Sequence, residues 1–293
     1  MVSFIFHVYG RPRVHSLDPP AMDGGATKGA TAGSCNLWSM LYADDAGLVS
    51  RSPRSLATMM TAVVEVCGAY GLTVAETKTE TMVMRPPDHV AEDLRVEAAG
   101  QRYKQTEQFV YLGGTVTAEA DMTAELHRRI GAAWNAFRRY AHVLYDRPVS
   151  VAPLELKVRM FQAEVREALL YGCATWTLLT RGFNLLRTQH HRLLLRCVGF
   201  RKKTRTDHPL SYVDALEKTG CESLETTIRR RRLLLAGFLH RQSDDRLTRR
   251  LLHGGLVIGA KRRRGRPEKS WWTCLLDDLK AFGIDPDTWH SSY

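Results

Sequence analysis

The sequence contains no C-x-x-C pair and no apolar run of the roughly 18 residues that would cross a membrane. The apolar start, MVSFIFHVYGRPRVH, lacks a clear cleavage site, and its basic residues follow the apolar stretch, so it does not fit a signal peptide. We therefore expect a nuclear or cytoplasmic protein that is neither secreted nor bound to a membrane. Scattered thiols favour reduced cysteines in such a protein over a disulfide framework or a zinc site, and there are six: Cys35, Cys67, Cys173, Cys197, Cys221 and Cys274.

One group of side chains has the types that ligate metals, namely His190, His191 and Cys197. Histidine and cysteine bind zinc when their spacing brings them together. The same spacing is typical of one amphipathic helix, which is the interpretation that we favour.

Charge is divided unevenly along the chain. Residues 1–120 carry 10 basic and 13 acidic side chains, a net −3, whereas residues 121–293 carry 32 and 18, a net +14. A basic half of this kind indicates a polyanionic partner, most plausibly nucleic acid, and a solvated arginine-rich surface is the alternative.

The first 120 residues divide into a leader and an α+β region. Residues 1–36 are rich in Gly, Pro and Ala and predict a flexible or degenerate leader. Residues 37–49 predict a hairpin, and Ser52-Pro53 predicts the start of a helix that ends at Gly71. Strands follow, with QFVYLGGTVT as the clearest pair. Over 37–120 we therefore expect an antiparallel sheet with helices on one face.

From residue 121 the pattern becomes helical. The first helix places six apolar side chains on one stripe, and others are predicted at about 183–198, 209–219, 223–241 and 268–282. We divide this half into a helical region at 121–180 and a basic helical region at 181–293. The stripe consists of Leu126, Ile130, Ala133, Trp134, Phe137 and Tyr140.

The stretch LWSMLYADDAGLV places Asp44 and Asp45 inside an apolar, strand-like run. Buried carboxylates are costly unless a cation or hydrogen-bond donors compensate them. A hairpin whose tip points at water is the simplest alternative, since aspartate favours turns.

Several stretches occur in a fixed order: YADD (42–45), GLTVAETKTE (71–80), FVYLGGTVT (109–117), LLYGCATWTLLT (169–180), RRRRLLLAGFLHR (229–241) and KRRRGRPEKSWW (261–272). Together they resemble the C-terminal part of the reverse transcriptase of LINE-type (non-LTR) retrotransposons, over about residues 37–285. The resemblance implies a partial reverse-transcriptase palm followed by a helical thumb and a helical C-terminal region. It also implies RNA-directed DNA polymerase chemistry on an RNA template and a DNA primer.

By this resemblance, Asp44 ligates Mg²⁺ or Mn²⁺, Asp45 supports it, and Tyr42 lies under the primer end. Lys78 approaches the incoming nucleotide's phosphates, although Ala75 stands where the family has Asn. A surface lysine is the alternative. The hairpin of Tyr111, Leu112, Gly113 and Gly114 resembles the primer grip, where paired glycines permit close backbone approach. A simple hairpin turn is the alternative.

Three groups of basic residues are candidates for binding nucleic acid. In the predicted thumb they are Arg128, Arg129, Arg138 and Arg139, and in the later helix Arg229, Arg230, Arg231 and Arg232. Four adjacent arginines cover every side of a helix, so we expect some to face solvent or a partner. The segment of Lys261, Arg262, Arg263, Arg264 and Arg266 is a nuclear localisation patch, a minor-groove insert or a basic linker.

Two parts of a working polymerase are not recognisable before YADD: the fingers and the first catalytic aspartate, which bridges both metal ions. Asp18 and Asp23 lie in a Pro/Gly-rich stretch without a strand around them. We therefore expect a truncated polymerase that is inactive alone. The alternative is a non-catalytic nucleic-acid-binding protein derived from a retrotransposon.

Overall fold

A computed structural model describes residues 7–8, 39–50, 52–84, 96–200, 208–254, 270–286 and 288–289. These residues form two compact units. The first is assigned Met1–Asp121 and His253–Arg264 and contains short strands and a long helix, whereas the second is built from Met122–Leu252 and Gly265–Tyr293 and is helical. The division falls one residue from the predicted boundary at 120, where the sequence pattern changes.

The described strands of the first unit pair in twos. They are β1 (His7–Val8), β2 (Ser39–Tyr42), β3 (Asp45–Leu48), β4 (Glu80–Thr81), β5 (Val83–Met84), β6 (Glu97–Ala98), β7 (Gln101–Arg102), β8 (Lys104–Gln105), β9 (Gln108–Tyr111) and β10 (Gly114–Thr117). Three pairs are antiparallel hairpins: β2–β3, β6–β7 and β9–β10. Two pairs are parallel, β1–β5 and β4–β8, and each has the long intervening connection that parallel pairing requires. Over the described part, this arrangement differs from the expected single antiparallel sheet.

Helix α1 (Pro53–Ala69) begins where Ser52-Pro53 predicts. The Ser52 side chain accepts a hydrogen bond from the Ser55 amide, and Gly71 follows the helix with φ +72°, a conformation that glycine adopts without strain. Leu56 and Met60 on its buried face pack against Ala46 and Leu48 of β3. Helix α1 therefore supports the inner strand of the YADD hairpin.

The second unit contains α2 (Thr123–Arg139), α3 (Leu154–Met160), α4 (Glu167–Leu169), α5 (Thr180–Cys197), α6 (Tyr212–Thr219), α7 (Leu224–His240), α8 (Leu247–Gly254) and α9 (Trp271–Ala281). A π-helical stretch, Phe161–Arg166, joins α3 to α4, and a second one, Ala141–Tyr145, follows α2. The sequence pattern predicted α5, α6, α7 and α9 to within three residues at each end, gave an apolar stripe without bounds for α2, and missed α8. Every residue of the predicted α2 stripe packs in the core.

One core runs through the second unit from Leu126 to Ile228, so residues on both sides of position 180 contribute to it. A smaller cluster joins Ala236 of α7 to Leu275 and Leu279 of α9. Among the described residues, no helix is both long enough and apolar enough to cross a membrane.

Candidate nucleic-acid site

The YADD sequence forms the expected hairpin. Tyr42 at the end of β2 pairs with Asp45 at the start of β3, and Ala43 and Asp44 form the two-residue tip. Ala43 has a φ of +51°, a conformation that costs a non-glycine residue roughly 1 kcal/mol or more. Asp44 is exposed, Asp45 is half-buried, and the following three residues of β3 are buried. Both carboxylates therefore lie at the solvent end of a strand that is anchored in the core.

The YLGG sequence forms a second hairpin, in which Gly114 of β10 pairs with Tyr111 of β9. Leu112 and Gly113 form its tip with φ values of +46° and +79°, the signs of a type I′ turn. Gly113 suits such a turn, whereas Leu112 is strained there. The turn thus accounts for Gly113, and its use as a primer grip stays a prediction.

The structure brings these two hairpins together, although about 70 residues separate them in the chain. The Tyr111 hydroxyl donates to the Met40 carbonyl of β2 over 3.5 Å. Both side chains lie against the buried Met82 and Phe109. Burial raises the pKa of the Tyr111 phenol, and the nearby Asp45 carboxylate raises it further. Asp45 and the YLGG hairpin are therefore neighbours.

Lys78 ends a 3₁₀ turn, Glu76–Lys78, and its side chain is exposed. The Glu76 carboxylate accepts a hydrogen bond from the Arg102 amide, which ties the turn to β7. Within the described part of the chain, Lys78 forms no ion pair. Its predicted contact with a nucleotide's phosphates stays a prediction.

The carboxylates at the YADD tip fit one hard divalent cation. Mg²⁺ binds one or two protein carboxylates and completes its coordination shell with water and phosphate oxygens. Asp44 and Asp45 can supply these two carboxylates. Two-ion catalysis needs a further carboxylate that both ions share. Among the described residues, no three His, Cys, Asp or Glu side chains lie close enough together to hold a metal ion.

The arginines predicted in the thumb are not equivalent. Arg129 is buried, donates to the Glu125 carboxylate over 2.6 Å, and stacks on the Tyr171 ring. It is therefore a core residue, and its predicted contact with phosphate is wrong. Arg128, Arg138 and Arg139 remain at the surface of α2.

The arginine run of α7 also turns inward. Arg232 is 2% exposed, donates to the Asp278 carboxylate of α9 over 2.5 Å, and donates to the Trp176 carbonyl over 2.9 Å. Arg229 lies 3.8 Å from the same carboxylate. Burial raises the pKa of Asp278, and both guanidinium groups oppose that shift. For Arg232 the prediction of a nucleic-acid contact is wrong, because an internal ion pair holds it.

The other two arginines of the run are paired as well. Arg231 contacts the Glu167 carboxylate at 2.5 Å, and Arg230 contacts Glu222 at 2.9 Å. The run therefore links α7 to α4 and to α9, and also to Glu222, which lies just before the start of α7. Arg230, with about half of its side chain exposed, is the member most open to solvent. The segment with Lys261, Arg262, Arg263, Arg264 and Arg266 lies outside the described residues.

The stretch LLYGCATWTLLT is the anchor for these contacts. Trp176 is buried, and the carbonyls of Trp176 and Ala174 accept hydrogen bonds from Arg232 and from the Trp271 indole, the latter over 2.8 Å. Its role is therefore to hold α7 and α9 in place.

The alternative metal ligands lie on α5 but do not form a site. The Tyr212 hydroxyl accepts a hydrogen bond from the Leu224 amide and forms a second hydrogen bond with His190 Nδ1 at 3.0 Å. His191 Nε2 donates to the Leu210 carbonyl. Both histidines thus form hydrogen bonds within the helical unit, His190 buried and His191 half-buried, on the helix that the sequence predicted.

The sequence analysis missed a basic element on the same helix. Helix α5 carries Arg181, Arg187, Arg192 and Arg196 and contains no aspartate or glutamate. The signal available in the sequence was the absence of acidic residues over 18 positions. The four consecutive arginines of α7 form a more obvious basic cluster, and the analysis selected that cluster instead.

No family model and no solved structure matches this chain. Over 250 residues, which are 85% of the chain and 88% of the relative's length, it is 25% identical to an uncharacterized transposon-derived protein of Caenorhabditis elegans. This similarity indicates a transposon origin for the chain.

Proposed function

We propose that the chain derives from the reverse transcriptase of a non-LTR retrotransposon and binds nucleic acid through what it retains. The observation that carries this proposal is the contact between the YADD and YLGG hairpins, through Tyr111 and Met40. Two motifs that were matched separately in the sequence become neighbours in the fold, as a metal site beside a primer strand requires. The similarity to a transposon-derived protein supports the coarser part of this proposal, an origin in a transposon.

In this proposal, Asp44 and Asp45 hold a divalent cation, Mg²⁺ or Mn²⁺. The bound ion would activate a primer hydroxyl and stabilise phosphate charge. Tyr42, 64% exposed beside the aspartates, offers a ring on which the primer end can rest. The tip of the YLGG hairpin offers backbone groups to the primer strand, and Lys78 offers a mobile positive charge for phosphates.

The first test is primer extension by the full chain on an RNA template with a DNA primer, in Mg²⁺ and in Mn²⁺. Binding of Mn²⁺, followed by electron paramagnetic resonance, gives a second readout. Asp44→Asn should abolish ion binding, whereas Glu65→Gln, which removes an exposed carboxylate of α1, should not. Ion binding that survives Asp44→Asn would refute the proposed metal site.

A second candidate is a nucleic-acid-binding protein that performs no synthesis, and the net +14 of residues 121–293 favours it. Salt-sensitive binding without extension would identify this function. Extension that Asp44→Asn abolishes would instead identify a polymerase. Neither binding nor extension would refute both candidates.

A further inference from the structure

The outer face of α5 is defined by Arg181, Arg192 and Arg196, which we call the α5 arginine face. At about 100° per residue, Arg192 and Arg196 lie within about 60° of Arg181 around the helix axis. At about 1.5 Å per residue, the three span about 22 Å. They therefore form one straight row of positive charge on a rigid element.

The opposite face of α5 is already used. Leu186, Leu193, Leu194 and Cys197 have no exposed surface and belong to the main core of the second unit. This packing fixes the rotation of the helix, so the α5 arginine face must point away from the core. Its three arginines are indeed exposed.

In the described part of the chain, no acidic side chain pairs with the charges of this face. Arg187, on a different side of the helix, pairs with Glu225 of α7. Among the residues that the structure describes, Arg181, Arg192 and Arg196 have no ion-pair partner. Arg192 and Arg196 lie one turn apart and repel each other, and Arg181 in the first turn opposes the helix dipole. A polyanion would relieve both costs.

We propose that the α5 arginine face binds the phosphate backbone of a double-stranded nucleic acid. This inference rests on the proposed function insofar as the protein binds nucleic acid, and it assigns a surface that the polymerase motifs do not include. A straight row of fixed charges matches phosphates that a duplex holds at fixed spacing.

The composition of the face argues against two other partners. Its remaining exposed positions, Asn184 and Thr188, are polar, and it exposes no aromatic ring on which unpaired bases could stack. A helix that binds membranes exposes an apolar face, whereas the apolar side of α5 is inside the core. A duplex, bound through its backbone, is therefore the occupant that fits.

The test is a salt titration of binding between the full chain and a labelled 20-base-pair DNA duplex, followed by fluorescence anisotropy. The triple variant Arg181→Gln, Arg192→Gln, Arg196→Gln should make the slope of log K against log salt shallower by about 2.7. For equal binding at 1 M salt, this change of slope makes the Kd of the variant about 500-fold higher than that of the natural chain at 0.1 M salt. Replacing the three arginines by lysine keeps the charges and should restore most of the slope.

The matched control removes three other exposed charges of the second unit, by Arg159→Gln, Arg241→Gln and Arg246→Gln. An equal loss of slope in this control would mean that only net charge matters and would overturn the proposal. Tighter binding of single strands than of the duplex would overturn it too. So would binding to anionic phospholipid vesicles that is stronger than binding to DNA and depends on the same three arginines.

These outcomes separate the inference from the proposed function. If the triple variant binds the duplex as the natural chain does, the α5 arginine face is not the contact, while nucleic-acid binding stands. If the natural chain binds no nucleic acid at low salt, both proposals fail together.

Discussion

Helix α7 places its four arginines in one run, Arg229–Arg232, whereas α5 spaces its four from Arg181 to Arg196. All four of α7 contact carboxylates, and in the described part of the chain only Arg187 of α5 does so. Adjacent residues point about 100° apart on a helix, so a run of four must turn at least one toward the interior. The interior accepts a guanidinium only beside a partner. Arginines spaced along one face escape this constraint and stay available for binding.

The largest effect should come from breaking the buried ion pair between Arg232 of α7 and Asp278 of α9. Asp278→Asn leaves the Arg232 guanidinium buried without its counter-charge, which should lower the free energy of unfolding by about 3–5 kcal/mol. Urea denaturation measures this loss. Glu217→Gln, which removes an exposed carboxylate of α6, is the control and should change stability by less than about 0.5 kcal/mol.

A double replacement makes this prediction sharper. Arg232→Met with Asp278→Leu removes both charges, so most of the lost stability should return. If the double variant is as unstable as Asp278→Asn, packing around α9 rather than the buried charge would explain the loss.

The inner face of α5 predicts a dependence of stability on pH. Burial, together with the charges of Arg166 and His191, lowers the pKa of His190 from 6.5 to about 3. The unfolded chain binds this proton more readily, so the contribution of His190 to stability is lost as pH falls from about 6.5 toward 3. Between pH 7 and pH 5 the loss should be about 2 kcal/mol.

The measurement is thermal or urea unfolding at several pH values, compared with His190→Asn. Asparagine keeps an acceptor for the Tyr212 hydroxyl but cannot titrate, so this variant should lack that part of the pH dependence. His191→Asn serves as the control and should retain it. Equal pH dependence in all three proteins would refute the assignment to His190.

The exposed arginines of α5 and α7 can be compared by replacing one arginine on each helix. Arg192→Gln should make the salt slope of duplex binding shallower by about 0.9, or about 8-fold in Kd at 0.1 M salt. Arg230→Gln, at the most exposed member of the paired run, should change the slope much less. Equal effects would remove the distinction between paired and unpaired arginines.

The smallest effect concerns a buried polar group that has no partner. The Tyr145 hydroxyl is buried and, among the described residues, finds no hydrogen-bond partner. Its ring stacks on Phe137 at 4.2 Å between centroids. Because Tyr145→Phe keeps the ring and removes the unsatisfied hydroxyl, it should be neutral or stabilise the protein by about 1 kcal/mol in calorimetry. A marked loss of stability would mean that the hydroxyl is satisfied in solution, whereas Phe137→Leu should destabilise in either case.

The features that the sequence predicted well depend on neighbouring residues. Ser52 and Pro53 define the start of α1 by local capping, and the tips of both hairpins follow from short turns between apolar strands. Contacts between distant segments were not predictable in this way. Nothing local to Met40 or Tyr111 indicates that they meet, and nothing in the run of α7 indicates that Asp278 accepts Arg232. The parallel pairing of β1 with β5 is of the same kind.

The contact between Arg232 and the last helix has a consequence for the order of folding during synthesis. Asp278 emerges from the ribosome 46 residues after Arg232, at a rate of about 5–20 residues per second. Until then, the Arg232 guanidinium lacks the Asp278 carboxylate, so the side of α7 that carries Arg232 stays in contact with water. The final assembly of the second unit therefore awaits the emergence of α9, and a chain arrested before residue 270 should expose the α7 surface to chaperones.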